Sequence, residues 1–163
     1  MIILMTPDII LRGIYHIDRN SALQTNYLTV LMLTLSCIVW IYLSDKIGSH
    51  ITMLLAYSGL IISANYFYYM LSSTISLLTL TSYYGIMELF VGAIVLTPIV
   101  NTRAFPPAIR YSDMSFTYNI AYAIFVALTP IISAWLQQSH MAPTYYVSAV
   151  AILVIIVGFL PLT

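Results

Sequence analysis

The chain has 163 residues, of which 61% are hydrophobic and only 6% are charged, with five basic and five acidic side chains. Soluble domains carry roughly a quarter charged residues, so this composition excludes a water-soluble surface, and the balanced charge excludes a basic face for nucleic acid. One cysteine excludes an intramolecular disulfide, and three scattered histidines lack metal-ligand spacing, so we expect no metal and no cofactor.

Long apolar runs between polar breaks predict an all-α, polytopic transmembrane bundle in contact with the lipid bilayer. A helix of about 20 apolar residues crosses the hydrocarbon core, where backbone N–H and C=O groups find no water. Residues 1–25 are too polar to span, and they are predicted to form an extramembrane segment before a helical domain at 26–163. The predicted spans of that domain are residues 26–43, 51–71, 75–99, 114–136 and 145–162.

The basic residues between spans predict the orientation, because Lys and Arg favour the cytoplasmic side. Lys46 follows the first span, while Arg103 and Arg110 lie between the third and fourth, so alternation puts all three on one side. The aromatic run 66–69 is predicted to form an interfacial belt at the outer end of the second span. We therefore expect the N-terminus outside and the C-terminus in the cytoplasm. Residues 1–5 are too short for a signal peptide. Because an odd number of spans with an exterior N-terminus needs an insertion signal, we expect further sequence upstream.

A set of short motifs recurs in order between residues 104 and 158. They are Phe105-Pro106, Ile109-Arg110-Tyr111-Ser112, Asn119-Ile120, Leu128-Thr129-Pro130, Ala134-Trp135-Leu136, Pro143 and Tyr145-Tyr146. In order and spacing they resemble the C-terminal part of the bacterial proline/betaine transporters, which are osmoprotectant:proton symporters of the major facilitator superfamily. The resemblance covers about a third of the chain.

A second, weaker resemblance lies after the first span. The segment 44–48 is similar to the loop Gly-x-x-x-Asp-Arg-x-Gly-Arg-Arg that this superfamily repeats in each half. Asp45 and Gly48 match, Lys46 is in place of the first arginine, and residues 49–50 replace the basic pair. Ile41 occupies the position of the leading glycine. The resemblance implies a gating or topology role for Asp45, Lys46 and Gly48.

The resemblance implies that the five spans correspond to helices eight to twelve, with residues 1–5 as the tail of the seventh. It implies transport of a small zwitterionic solute with a proton in the bacterial inner membrane, by an incomplete or split transporter. Because such transporters hold the substrate between two halves, a separately encoded N-terminal half is an expected partner. The alternative is a small non-transporting membrane protein that packs against partner proteins. Neither function is enzymatic, and the sequence has no nucleophile–base pair or phosphate loop.

Glu88 is the main candidate for chemistry, because it lies in the middle of the third span, far from any other charge. An intramembrane carboxyl costs several kcal/mol unless it is protonated, paired or facing water. With Tyr84, Gly85 and Gly92 on its helical face, it is predicted either to carry a proton or to bind a substrate ammonium group. The alternatives are a neutral acid hydrogen-bonded to a neighbouring helix and an unselected substitution.

Two further spans carry polar stripes. Ser115, Asn119 and Tyr122, continued by Val126, repeat at helical spacing in the fourth span and are predicted to line a substrate path or to make interhelical hydrogen bonds. The second stripe, on the first span, favours close helix packing over a cavity face. Its members are Thr25, Thr29, Met32 and Ser36.

The fourth span also has a proline and a charged start. Pro130 removes a backbone hydrogen bond and is predicted to kink the helix. Two interpretations of this kink are open: a bend used in gating, or a passive bend. Arg110 is predicted to anchor the start of this span at the interface and to pair with Asp113, three residues later.

Overall fold

Helices account for nearly all of the structure, a computed structural model that describes residues 19–70, 76–103, 109–136 and 141–159. No strand occurs within these ranges, and the prediction of an all-helical membrane bundle is confirmed. The helices are α1 (Arg19–Ile47), α2 (Ser49–Met70), α3 (Leu77–Val91), α4 (Leu96–Arg103), α5 (Arg110–Leu136) and α6 (Ala142–Phe159), with a 3₁₀ segment at Gly92–Val95.

Three of the described helical segments are long and apolar enough to cross a membrane: Gln24–Ile47, Ser49–Met70 and Leu78–Ile99. They match the first three predicted spans, although α1 begins at Arg19, inside the segment predicted to be extramembrane. α5 and α6 coincide with the fourth and fifth predicted spans, and α6 has a shorter apolar stretch at Ala142–Val157. Residues 1–18, with the predicted tail of a preceding helix, lie outside the described residues.

A single residue connects α1 to α2. Gly48 has a φ of +89°, in the left-handed region that L-residues with a Cβ avoid. Its amide donates to the carbonyl oxygen of Ser44 at 3.0 Å, and its own carbonyl oxygen accepts the amide of Thr52 at 3.1 Å. The Ser44 hydroxyl donates to Ser49 at 3.0 Å, which closes the turn on both sides. The two helices therefore form a tight antiparallel hairpin.

α3 packs against both α1 and α2. It begins at Leu77 because the side chain of Ser76 accepts the Thr79 amide at 3.2 Å, an N-cap that satisfies a free donor of the first turn. α6 packs on α2, where Asn65 donates to the Ser148 hydroxyl at 3.2 Å. α5 contacts α4 at the edge of the bundle.

Two glycines allow helices to approach closely at the centre. A Cβ at Gly92 would collide with the side chain of Ser36 on α1 and would lie 3.0 Å from the Cys37 backbone nitrogen. A Cβ at Gly59 on α2 would collide with the ring of Phe90. Small residues allow such contacts in membrane bundles, where apolar side chains gain little by leaving lipid for protein.

The third span is not one regular helix, although a continuous span was predicted over residues 75–99. After Val91 it changes to the 3₁₀ segment Gly92–Val95 and continues as α4 to Arg103. The change begins at Gly92, where α1 approaches so closely that a Cβ would collide with Ser36.

The predicted aromatic belt is wrong for two of its four residues. Phe67 and Tyr68 are each 1% exposed and belong to the hydrophobic core, whereas Tyr66 and Tyr69 remain exposed. Four consecutive helical positions point in four directions about 100° apart, so one run cannot place all its rings at the membrane surface. The belt therefore gives no support to the predicted orientation.

Candidate functional site

Glu88 lies on α3 where α1, α2 and α3 meet, and its side chain is completely buried. Neither of its carboxyl oxygens makes a hydrogen bond with a described residue. Tyr84, one turn earlier on α3, is 1% exposed, and its hydroxyl interacts electrostatically with the carboxyl. Glu88 and Tyr84 therefore lie next to each other on one face of α3.

Aromatic side chains of α2 complete the surroundings of this acid. Tyr68 interacts electrostatically with both Glu88 and Tyr84. The ring of Phe67 packs edge-on against Tyr68, with 5.0 Å between centroids, and tilted against Tyr84 at 5.7 Å. We call Glu88, Tyr84, Tyr68 and Phe67 the acid–aromatic cluster. The rings fill the space beside the carboxyl by packing on one another.

The polar face of α1 packs against α3. Thr25 and Thr29 are buried, and the Thr25 hydroxyl lies 3.2 Å from that of Thr81. Ser36 donates to its own helix at Leu33, over 2.8 Å, and approaches the carbonyl oxygen of Glu88 at 3.5 Å. Met32, predicted on the same face, is instead 48% exposed. In this structure the face serves helix packing, as expected from its small residues.

The predicted stripe on α5 is separate from the acid–aromatic cluster. Ser115, Asn119 and Tyr122 are all exposed, and the ring of Tyr122 stacks on that of Tyr118, with 6.1 Å between centroids. The structure therefore does not bring this stripe together with Glu88, and a shared substrate path stays a prediction. An asparagine on a membrane helix is costly in lipid, so the stripe favours contact with protein or water.

The loop that resembles the superfamily motif has a structural explanation. Gly48 is required by its positive φ, independently of any gating. The Lys46 ammonium lies 4.7 Å from the centroid of the Tyr42 ring, a cation–π contact one turn back along α1. Asp45 is exposed. The gating role of this loop stays a prediction.

α5 begins four residues earlier than the predicted fourth span, and a kink at Pro130 stays a prediction. Arg110 is the first residue of α5, and Asp113, in its first turn, donates its amide to the carbonyl oxygen of Ile109 at 3.0 Å. The ion pair between Arg110 and Asp113 stays a prediction. The helix continues past Pro130 to Leu136. Residues 104–108, which carry part of the family-like motif, lie outside the described residues.

Two features of this site were not predicted: the hydrogen bond of Trp40 and the burial of Phe67 and Tyr68. The indole nitrogen of Trp40 donates to the carbonyl oxygen of Leu89 at 2.6 Å, and no sequence signal indicates such a contact. Phe67 and Tyr68 were assigned to a belt, although helical spacing offered a signal. Ala64 is four residues after Leu60, and Phe67 and Tyr68 are three and four residues after Ala64; all four are buried.

These features define a polytopic helical membrane protein with one buried acid at the junction of three central helices. Its nearest described surroundings are aromatic rings and hydroxyl groups. Such an arrangement can bind and release a proton, or it can contribute to a polar site for a small solute if the helices separate.

Comparison with known proteins relates the chain to membrane transporters. It is 25% identical to the proline/betaine transporter of Escherichia coli K12 over 171 aligned positions, which cover 97% of this chain and 32% of the relative. A Staphylococcus aureus protein also named for proline/betaine transport is 30% identical over 125 residues, which cover 74% of this chain and 26% of the relative. The proline/betaine transporter of Salmonella typhimurium is 34% identical over 83 residues, which cover 43% of this chain and 16% of the relative.

The chain thus spans a third or less of the length of the curated relatives that it matches. No family model matches it, and no solved structure matches it. The similarity supports a relation to transport proteins.

Proposed function

We propose that this chain is the membrane domain segment of a secondary transporter of the major facilitator type, which moves a small zwitterionic solute together with a proton. Proline and glycine betaine are the solutes to test first. The observation that carries the proposal is the similarity to the Escherichia coli relative, which extends along 97% of this chain. The helical bundle and its buried acid agree with such a role.

In this proposal the solute crosses where this chain meets complementary helices. Transporters with repeated halves bind the substrate at the interface between them and alternate access by rocking. The polar stripe at Ser115, Asn119 and Tyr122 is exposed on α5 and is suited to face that interface. The proposal therefore requires a partner that supplies the remaining helices, either as a continuation of the same chain or as a separate one.

The proposal places the protein in the bacterial inner membrane, with the loop at Lys46 on the cytoplasmic side. The rest of the superfamily-like loop, Asp45 and Gly48, lies on the same side, together with Arg110 and Asp113. In this arrangement the two loops shape the cytoplasmic ends of the helices. Pro130 lies near the other end of α5, where a bend would change the outer opening.

The test is uptake of radiolabelled proline and glycine betaine in cells that lack their own transporters. One arm expresses the chain alone, and one adds the sequence encoded upstream of it. A third arm expresses the Escherichia coli relative with its aligned third replaced by this chain. The intact relative is the positive control, and the relative without that third is the negative control.

Uptake above the negative control by the upstream pair or the replacement protein would support the proposal. Uptake by the chain alone would contradict the need for complementary helices and would indicate assembly from several copies. Failure of all three arms, with every protein present in the membrane, would overturn the transport proposal. It would favour the alternative of a small membrane protein that packs against partners.

A further inference from the structure

Glu88 differs from the other polar groups between the central helices because its carboxyl group lacks a hydrogen bond. Thr25, Ser36 and Trp40 line the same boundary, and each of them makes a hydrogen bond across it or within its helix. Glu88 is completely buried, yet neither carboxyl oxygen is hydrogen-bonded within the described residues. A purely structural acid would be expected to use its donor and acceptors in the same way.

Among the described residues, no lysine or arginine side chain interacts with this carboxyl. The titratable groups that interact with it from the described elements are Tyr84 on its own helix and Tyr68 on α2. From α1 it is approached by the hydroxyl of Ser36. Lys46 lies ten residues beyond Ser36, about 15 Å further along that helix. An ionised carboxylate in these surroundings would cost several kcal/mol.

The space around the carboxyl favours a proton over a larger cation. Every member of the acid–aromatic cluster is at most 1% exposed, and the rings of Phe67, Tyr68 and Tyr84 pack against one another. An aromatic cage for an organic ammonium group needs its rings arranged around an opening of that size. A proton needs no such opening, since it binds to the carboxyl oxygen itself.

We propose that Glu88 is a proton-binding site in the centre of the bundle, with its carboxyl held in the protonated form while the three helices are closed around it. Opening of the helices admits water, the carboxyl group loses its proton to that water, and the remaining carboxylate is solvated. Closure requires that a proton be bound again. The binding of the proton depends only on the structure, whereas its use to drive solute accumulation rests on the proposed function.

The sequence permits a direct test, because Glu88 is the only glutamate in the chain. The chain is prepared with ¹³C-labelled glutamate, reconstituted into lipid vesicles and compared by infrared spectroscopy with unlabelled chain. At pH 7 we expect an isotope-shifted band of a protonated carboxylic acid and no isotope-shifted carboxylate bands. Because the label identifies the residue, this measurement does not depend on a variant that folds.

Isotope-shifted carboxylate bands alone at pH 7 would overturn the proposal. Carboxylate bands that change only when glycine betaine is added would also overturn it and would assign the site to an ammonium group instead. Glu88→Gln should remove the isotope-shifted band. Glu88→Asp keeps a carboxyl group at this position without the label, so its spectrum serves as the unlabelled comparison.

The coupling role is tested in the replacement protein described above. A pH difference of one unit supports about tenfold accumulation per coupled proton. Glu88→Gln should lose this tenfold accumulation while it still exchanges labelled for unlabelled solute across the membrane. Normal accumulation by this variant would overturn the coupling role. If the unmodified replacement protein moves no solute, the proposed function fails, while the infrared result still decides whether Glu88 binds a proton.

Discussion

The indole nitrogen of Trp40 on α1 donates a hydrogen bond to the main-chain oxygen of Leu89 on α3. This carbonyl lies directly after Glu88 and three residues before the 3₁₀ segment begins at Gly92. The ring of Trp40 also packs against Phe90, with 6.1 Å between centroids. One side chain of α1 thus holds the backbone of α3 beside the buried acid.

Trp40→Phe tests this hydrogen bond, because phenylalanine retains an aromatic ring and removes the donor. We expect a loss of about 0.5–1.5 kcal/mol in stability, the usual range for a hydrogen bond in a protein. The change is measured as the midpoint of thermal unfolding in detergent, with the fraction of protein that stays monodisperse after heating as the readout. Trp135→Phe is the matched control, since Trp135 is 60% exposed on α5 and should leave the midpoint unchanged. Equal effects of the two substitutions would show that the hydrogen bond contributes nothing.

Gly92→Ala should destabilise the bundle through crowding against α1. Its new methyl group would meet the side chain of Ser36 and the backbone nitrogen of Cys37, and the backbone cannot move aside cheaply. Overpacking of this kind costs about 1–3 kcal/mol. The measurement is again the midpoint of thermal unfolding. Gly85→Ala is the control in the same span, because the new Cβ would meet only Met32, at 3.9 Å. If the two variants unfold at the same temperature, α1 and α3 are not in close contact at Gly92.

Gly48→Ala should destabilise the hairpin by backbone strain alone. Nothing lies within 4 Å of a Cβ at this position, so crowding does not contribute. The left-handed conformation costs about 1–2 kcal/mol for an ordinary residue, and less for asparagine, whose side chain can bond locally. The unfolding midpoint is expected to be highest for the parent with glycine, lower for Gly48→Asn and lowest for Gly48→Ala. An alanine variant as stable as the parent would contradict the positive φ.

The two threonines that join α1 to α3 allow a double-mutant cycle. Thr25→Val and Thr81→Val each keep the shape of the side chain and remove the hydroxyl, and the two oxygens are 3.2 Å apart. We expect a coupling energy of about 0.6 kcal/mol, the average for hydrogen bonds between membrane helices. Unfolding by a denaturing detergent measures the four proteins. A coupling of zero would mean that the hydroxyls do not bond to each other.

The predicted orientation can be checked at one atom, because Lys46 is the only lysine in the chain. If the loop at Lys46 is cytoplasmic, a membrane-impermeant amine reagent should modify it only after the cells are opened. Lys46→Arg is the control, since it keeps the charge and removes the reactive amine, leaving the N-terminus as background. Modification in intact cells would reverse the orientation of every span.

Hydropathy was enough to predict the helical class and the approximate positions of the spans. Length and apolar content alone decide whether a helix can cross a bilayer, so Ser49–Met70 was predicted to within a few residues. The turn at Gly48 was also visible, because glycine is the residue that most easily adopts a left-handed conformation.

The sequence predicted the buried face of each helix less accurately than it predicted the positions of the spans. In water, apolar periodicity separates the buried face of a helix from the exposed one, but in lipid both faces are apolar. Phe67 and Tyr68 were therefore assigned to the membrane surface, and Met32 to a packed face, although the structure places them the other way round. Glu88 was found because a charge inside a span is conspicuous in any sequence.

The change of helix type at Gly92–Val95 redirects the remainder of the third span. Four residues at three per turn advance about 80° further around the axis than four residues of an α-helix. α4 consequently presents to its neighbours a face nearly a quarter revolution away from the one that continuous winding would give. α3 contacts α1 and α2; α4 contacts the same two helices, with Leu96 in the hydrophobic core, and it also contacts α5. Both parts of the span therefore pack against α1 and α2, and the offset sets the face that the second part turns toward α5.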